Sequence, residues 1–383
     1  MTTEKLRCLT RKGKVLALLL AAVLFLTAFS GCRKELSPSP SEETSSSASS
    51  ETTKQQETKQ QTTSEETSFS SLAETTLAPS TSAHALQKSS ARKTAEKRIK
   101  SDVDLALWYV KENKRSGSKV SFPYEKGKTA YSALSKAQKK LYNEMLPKVK
   151  ELTAFEYTAK KDGYTTLDNV LVASSALCKD YPEYELYFDI KEVFSGDMTT
   201  GLKSVYSLPG DADAKNVKNT AKIKKELEIF EEECNLIVES IPKNFSTYDK
   251  YRFLAAVISI RTAYDNDFEG GKPTMTAYGA IQGPVAICQG YSTAFEYLCR
   301  KANLWCKQVS GVSQGVSHAW NLVKLKSGTY HVDVTWADSD LNLTLDEGWQ
   351  RYFMLTQTEI LEDHEIDDGT VATGKSLQPK AAG

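Results

Sequence analysis

The sequence predicts an α+β protein, in which amphipathic helices and antiparallel strands follow one another along the chain. Apolar residues recur at helical spacing between Ile223 and Ile241, which predicts a long helix with one buried face. Residues 185–194 and 203–207 have the composition of short strands. The segment SHAWNLVKLKSGTYHVDVTWAD, residues 317–338, predicts a β-hairpin that turns at Ser327-Gly328.

The first 31 residues have the order of features of an export signal. A stretch rich in Lys and Arg precedes an uncharged apolar run at residues 15–29, and Ser30-Gly31-Cys32 follows. Fifteen helical residues span about 22 Å, short of a bilayer core of roughly 30 Å, so a permanent membrane span is the weaker interpretation. The small residues before Cys32 resemble the lipobox of bacterial lipoproteins, which implies a lipid anchor on Cys32. Simple cleavage, which releases a soluble secreted protein, is the alternative.

A long polar segment follows the export signal. Between Ser37 and Ser82, 24 of 46 residues are Ser or Thr, and the single aromatic residue is Phe69. Such a segment buries too little apolar area to offset its chain entropy, so we expect a disordered tether. The predicted organisation is a signal peptide at 1–31, a lipid-anchored linker at 32–94, an amino-terminal α/β region at 95–215, a catalytic domain at 216–370 and a flexible tail at 371–383.

Charge and cysteine content limit the classes of function. Without residues 1–31 the chain has 44 basic and 48 acidic residues, a formal charge of −4, so the composition gives no reason to expect nucleic acid as a partner. Five cysteines follow the linker, an odd number, so at least one is unpaired unless it bridges two molecules.

One of these cysteines stands in an unusual place. Cys288 follows the Gly283-Pro284 turn and begins a predicted amphipathic helix. The unpaired amides and the dipole of a helix N-terminus stabilise a thiolate, which makes Cys288 a candidate nucleophile. A structural role is the alternative, and it describes Cys299, eleven residues into the same helix, well.

A thiolate nucleophile needs a base, and the base needs a group that orients it. His318 and His331 both lie in the predicted hairpin, and strand alternation puts His318 and Asp333 on the same side. We favour His318 as the base and Asp333 as its orienter, and interpret His331 as a supporting or surface residue. A turn at Ser327-Gly328 leaves His318 and Asp333 about 13 Å apart, so a bulge or strong coiling has to close the gap.

Three motifs carry a resemblance to a known family. VAICQGYSTAFEYLCRKANL, the hairpin segment and RYFMLTQTEILEDHEID together resemble the transglutaminase-like superfamily. The resemblance implies a papain-like core, in which the nucleophile helix packs on an antiparallel sheet. It also implies that Cys288 is the nucleophile, His318 the general base and then acid, and Asp333 the residue that fixes the imidazole tautomer.

The same resemblance leaves several points open. The Cys288 amide is one expected oxyanion donor, and Gln282 or Tyr278 is a candidate for the other. Residues 361–369, LEDHEIDDG, are too short to indicate a calcium site, and we interpret them as a solvated acidic loop. No cofactor and no metal are expected. A disulfide between Cys299 and Cys306 stays open.

The sequence therefore predicts a membrane-tethered extracellular cysteine enzyme that acts on amides of proteins or wall peptides through a thioester. The acyl acceptor is open: water would make it a peptidase or deamidase, and an amine would make it a crosslinker. The alternative from another class is a surface binding module that keeps the fold without turnover.

Overall fold

The computed structural model describes residues 81–124, 130–158, 160, 164–195, 198–208, 220–267, 269–338 and 351–377, with side chains from residue 89. The predicted signal peptide, Cys32 and the Ser/Thr-rich segment as far as residue 80 lie outside these ranges. Within them, none of the helices has both the length and the apolar composition needed to cross a bilayer.

Helices and strands alternate along the described chain. The helices are α1 (Thr81–Glu112), α2 (Ala130–Ala133), α3 (Lys136–Lys150), α4 (Leu167–Asp180), α5 (Pro182–Glu185), α6 (Thr220–Glu239), α7 (Thr247–Arg261), α8 (Lys272–Met275), α9 (Ala277–Ile281), α10 (Cys288–Lys301), α11 (Val334–Ala337) and α12 (Gln357–Ile360). The strands are β1 (Glu156–Thr158), β2 (Phe188–Ser195), β3 (Met198–Tyr206), β4 (Ala263–Tyr264), β5 (Val285–Ala286), β6 (Cys306–Ser313), β7 (Val316–Leu325), β8 (Gly328–Val332), β9 (Phe353–Leu355) and β10 (His364–Ile366).

The larger core lies between helices and a five-stranded antiparallel sheet. The sheet has the strand order β10-β6-β7-β8-β9, and α10 packs on β6 and β7. Helix α7 is buried almost all round, as its apolar run from Phe253 to Ile260 predicts. Its N-cap is Ser246, whose Oγ accepts a hydrogen bond from the backbone N–H of Asp249. These elements form the predicted α+β core, with the helix that begins at Cys288 on an antiparallel sheet.

A smaller unit precedes this core. Helices α2 to α5 pack against the sheet β1-β3-β2. The hydrophobic core of this unit contains Leu141, Met145 and Leu177. Among the contacts that join it to the larger unit, an Arg300 guanidinium N–H donates to the Asp180 carbonyl oxygen at 2.6 Å, and the Lys272 ammonium donates to the Phe188 carbonyl oxygen at 2.8 Å.

The predicted boundaries differ from the structure at both ends. Helix α1 begins at Thr81, inside the segment assigned to the linker, and its residues from Ile99 to Val110 belong to the larger core rather than to the amino-terminal unit. The tail, expected to be flexible from residue 371, is packed as far as residue 377: the N–H of Gly374 donates to the Thr329 carbonyl oxygen and Leu377 accepts from Arg115. Contacts with residues distant in sequence hold both segments in place, and the periodicity of the sequence does not reveal such contacts.

Candidate active site

Cys288 is the first residue of α10, as predicted. Ile287 precedes it in an extended conformation and provides no side-chain cap, so the first-turn amides receive no capping hydrogen bond from it. The N–H of Ile287 donates to the Thr274 carbonyl oxygen at 2.9 Å. A Cβ at Gly290 would stand 2.4 Å from that same oxygen, so the close approach that anchors the helix start requires glycine.

The hairpin turns one residue earlier than the sequence predicts. Leu325 pairs with Gly328, so the turn consists of Lys326 and Ser327, and Leu322 pairs with His331 instead of Asp333. This register reduces the offset between His318 and Asp333 from four residues to two along the strand direction, about 7 Å rather than about 13 Å. The predicted turn was wrong, and the corrected register removes much of the distance that a bulge had to close.

Asp333 leaves the sheet after β8 and caps the short helix α11. Its Oδ1 accepts from the N–H of Trp336 at 3.1 Å, and its Oδ2 accepts from Nε2 of His318 at 2.8 Å. The carboxylate is fully buried. Burial by itself would raise the pKa of Asp333, but His318 and His364 hold that pKa well below its usual range.

The other ring nitrogen of His318, Nδ1, faces Cys288. Nδ1 of His318 has no hydrogen-bond partner of ordinary geometry among the described residues, and the Cys288 sulfur interacts with this ring. Burial lowers the pKa of His318, but the Asp333 carboxylate and then the Cys288 side chain outweigh burial and raise the pKa to about 10. The arrangement therefore favours an imidazolium beside the sulfur at neutral pH.

Tyr264 lies beside Cys288 and was missed by the sequence analysis. Strands β4 and β5 pair in parallel with Tyr264 opposite Ala286, two residues before Cys288. The Tyr264 oxygen interacts with the Cys288 backbone N–H, and it forms no hydrogen bond of ordinary geometry with any described residue. Burial, the Cys288 side chain and Asp333 raise the pKa of Tyr264 far above its usual value, so the phenol keeps its proton. The parallel β4–β5 pair joins segments 22 positions apart and has no local sequence signal.

The two residues predicted as oxyanion donors have other neighbours. The Tyr278 ring packs edge-on against Tyr187 at 6.5 Å between centroids. Gln282 lies beside the buried Glu233, whose pKa burial raises to about 7. Arg98 interacts electrostatically with both Glu233 and Tyr278, so Gln282 and Tyr278 share a charged neighbourhood.

His331 has a structural role in a layer of rings. Its Nδ1 accepts from the indole N–H of Trp320 at 3.0 Å, and burial lowers its pKa to about 4, so it is neutral. Trp320 in turn stacks on His318, with 5.8 Å between centroids and 20° between planes. This agrees with a supporting residue and excludes a surface position, since His331 is fully buried.

His364 is a second histidine on the same carboxylate. Its Nε2 lies 3.1 Å from Oδ2 of Asp333, and its Nδ1 lies 2.6 Å from Oδ1 of Asp363. The sequence analysis placed this residue in a solvated acidic loop, whereas it is 3% exposed. That interpretation was wrong for His364 because β10 pairs with β6 and carries the ring into the site. The signal available in the sequence was the scarcity of histidine, since four occur in the whole chain.

His318, Asp333 and His364 also form a group of possible metal ligands, with ligand atoms within 4.8 Å of one another. The two Nε2 atoms already face the same carboxylate oxygen at hydrogen-bonding distance. Their proximity is therefore explained by shared protons, and we assign no metal to them. The five cysteines in the described part of the chain, Cys299 and Cys306 included, are free thiols.

Comparison with known proteins finds a family model that matches part of the chain. Residues 238–338 match the family model of the transglutaminase-like superfamily, and the match includes Cys288, His318 and Asp333. The chain thus carries a transglutaminase-like domain, which confirms the fold class and the resemblance. His364 lies beyond the matched stretch.

Individual relatives are distant. The kyphoscoliosis peptidases of Mus musculus and Homo sapiens are each 28% identical over 125 residues, which cover 28% of this chain and 18% of theirs. The match therefore spans less than a fifth of these curated relatives. A crystal structure described as that of a TGase is 20% identical, covers 39% of this chain and 43% of its own, and has a TM-score of 0.25.

Proposed function

We propose that the protein is a cysteine enzyme that transfers the acyl group of a protein or peptide amide through a thioester on Cys288. The observation that carries the proposal is the placement of His318 between the Cys288 sulfur and the Asp333 carboxylate, with 2.8 Å between Nε2 and Oδ2. Nucleophile, base and orienter in this order are the parts of a catalytic triad.

The reaction uses the two ring nitrogens of His318, Nδ1 on the side of Cys288 and Nε2 on the side of Asp333. The Cys288 thiolate attacks the amide carbonyl carbon, and the C–N bond breaks as Nδ1 of His318 gives its proton to the departing amine. The neutral Nδ1 then takes a proton from water or an acceptor amine, which attacks the thioester and releases Cys288 as a thiolate. Throughout, Nε2–H of His318 stays bonded to Asp333, which fixes the tautomer.

The oxyanion formed in each attack needs donors that the site already contains. We assign this role to the backbone N–H of Cys288 and the hydroxyl of Tyr264 in place of Gln282 or Tyr278. The phenol is protonated and buried, and its oxygen faces the Cys288 N–H without a hydrogen bond of ordinary geometry in the described structure, so an incoming oxygen takes the place of that contact and accepts from both groups.

Access to the thiol is restricted. Cys288 exposes 2% of its surface, Tyr264 beside it exposes 9%, and Trp336, whose ring centroid is 6.1 Å from that of His318, exposes 5%. The small exposed area limits the water around the thiol.

The proposed location is the outer face of a cell membrane, with a lipid on Cys32 and the Ser/Thr-rich segment as tether. The order of basic stretch, apolar run and Ser-Gly-Cys supports it. The substrates would then be proteins or wall peptides at the cell surface, and nucleic acid is not an expected partner. A binding module that keeps the fold without turnover is the rival.

The deciding experiment incubates the purified protein with surface proteins and wall peptides, with and without a primary-amine probe, and reads product masses. Hydrolysis, deamidation and amine incorporation give three different mass changes, and each must disappear in Cys288→Ala. Unchanged substrates in every arm, together with retained binding, would establish the rival.

A further inference from the structure

We propose that His364 is a positioning residue of the catalytic group: it holds the Asp333 carboxylate in place through the same oxygen that His318 contacts, and it supplies the positive charge that Asp333 needs while His318 is neutral. This proposal rests on the proposed function and extends it by one residue. His364 and His318 contact the same carboxylate oxygen of Asp333, and we assign His364 no contact with substrate.

The contacts of His364 require both of its ring nitrogens to carry hydrogen. Nε2 faces a carboxylate oxygen of Asp333 at 3.1 Å, and Nδ1 faces one of Asp363 at 2.6 Å. A carboxylate accepts hydrogen bonds and does not donate them, so both contacts together favour an imidazolium. Burial lowers the pKa of His364, but Asp333 and Asp363 outweigh it and the net direction is upward.

Asp333 needs this second partner because of what His318 does in the reaction. The Asp333 side chain is fully buried, and an uncompensated carboxylate is strongly disfavoured there. While His318 is an imidazolium it compensates that charge. Once His318 has protonated the leaving amine it is neutral, and only His364 among the two bonded histidines remains positive. The carboxylate is thereby kept ionised and oriented until His318 is protonated again.

The surroundings of His364 hold it in this state. Asp363 also accepts from the Tyr352 hydroxyl at 2.8 Å and lies 3.4 Å from the Arg351 guanidinium. The Trp320 ring packs edge-on against His364 at 4.9 Å between centroids, and the indole N–H donates to the neutral His331. Charges along the path Cys288, His318, Asp333, His364, Asp363 and Arg351 therefore alternate in sign, and His364 is the central cation.

Two substitutions test separately whether His364 positions Asp333 and whether its positive charge is needed. His364→Gln places an amide N–H near the position of Nε2 and keeps a donor for Asp333 without the charge. His364→Asn places its N–H near Nδ1, so Asp363 keeps a donor and Asp333 loses one. Two rates are measured on the full chain: alkylation of Cys288 by iodoacetamide, which needs only the resting thiolate–imidazolium pair, and kcat on an amide substrate, which takes His318 through its neutral state.

We expect His364→Gln to alkylate within about threefold of the native rate while kcat falls about tenfold, and His364→Asn to lose about tenfold in both rates. KM should be unchanged in both variants. Native values of both rates in both variants, or parallel losses that follow a drop in melting temperature, would overturn the proposal. The native protein provides a test that needs no variant: imidazole ¹⁵N spectra near neutral pH should show both nitrogens of His364 protonated, and a neutral tautomer contradicts the proposal.

The same measurements separate this proposal from the function on which it rests. Equal alkylation of Cys288 and of the four other described cysteines in the native protein would remove the proposed function and the role of His364 together. Fast, selective alkylation of Cys288 that His364→Asn leaves unchanged would remove the role of His364 alone.

Discussion

His318 and Asp333 meet at 2.8 Å although they lie on different segments of a hairpin and are not paired in its ladder. The ladder of β7 and β8 ends where Asn321 pairs with Val332, and the chain then turns away to begin α11. Asp333 is the residue at that turn. The same carboxyl group caps α11 through Oδ1 and holds His318 through Oδ2, so the local fold and the site share one side chain.

Removing the charge of Asp333 should change the proton affinity of His318. In Asp333→Asn, burial acts on His318 without the opposing carboxylate, so the pKa of His318 should fall from about 10 to near or below its ordinary value of about 6.5. The measurement is an NMR titration of the imidazole C–H signals. His331, whose pKa is already lowered to about 4, serves as an internal control and should titrate as in the native protein. A native value in the variant would show that Asp333 does not set the charge of His318.

The same pair should make stability depend on pH. The folded-state pKa of His318 is raised, so its contribution to the free energy of unfolding is complete below about pH 6.5 and is lost as the pH rises through about 10. The pKa of Asp333 is depressed, so its contribution is present above about pH 3.9 and is lost as the pH falls. Urea unfolding of the native protein and of His318→Gln should give a stability difference that is largest near pH 5 to 6 and smaller at pH 9 to 10. A difference that does not vary over this range would contradict the assigned shifts.

The sequence predicted the fold class, the start of α10 and the identity of the central pair because these depend on local patterns. Cys288 follows a Gly-Pro turn, and the alternation of the hairpin places His318 and Asp333 on one side whichever of the two turns is used. The turn itself was misplaced by one residue, since Lys326-Ser327 and Ser327-Gly328 both precede a strand of the right composition. Moving the turn by one residue shifts the pairing by two, which leaves the facing side unchanged and alters only the distance.

Tyr264 and His364 were not predicted because each reaches the site through a pairing between distant segments. Tyr264 enters on the parallel pair of β4 and β5, and His364 on β10, the edge strand paired with β6. Neither pairing has a turn between adjacent strands that would indicate it. The segment around His364 is rich in acidic residues, and that composition concealed a strand whose one histidine points inward.

Loss of the Tyr264 hydroxyl should impair acyl transfer without impairing the thiol. Tyr264→Phe removes one oxyanion donor and keeps the ring, so kcat/KM on an amide should fall about 10²- to 10³-fold. Alkylation by iodoacetamide forms no oxyanion at a carbonyl, and its rate at Cys288 should stay near the native value. Both rates are measured on the same preparation.

Tyr278→Phe is the matched control for this experiment, because it removes the same atom from a tyrosine whose ring packs against Tyr187 instead. It should leave both rates unchanged. A large loss of kcat/KM in Tyr278→Phe with none in Tyr264→Phe would return the oxyanion role to the residue that the sequence first suggested.

The start of α10 depends on a glycine, which gives a test of how the nucleophile is held. A Cβ at residue 290 would stand 2.4 Å from the Thr274 carbonyl oxygen and 3.1 Å from the Thr276 carbonyl oxygen, both backbone atoms that cannot rotate away. Gly290→Ala should therefore push the first turn of α10 from this segment and destabilise the protein by about 1–3 kcal/mol. Because Cys288 lies in that turn, its alkylation rate should fall as well.

Gly117→Ala is the control, since its Cβ would meet Ser246 at an ordinary 3.4 Å, and it should leave both the chemical denaturation midpoint and the alkylation rate near their native values. If Gly290→Ala unfolds at the native midpoint with unchanged reactivity, the close contact with Thr274 does not position the nucleophile.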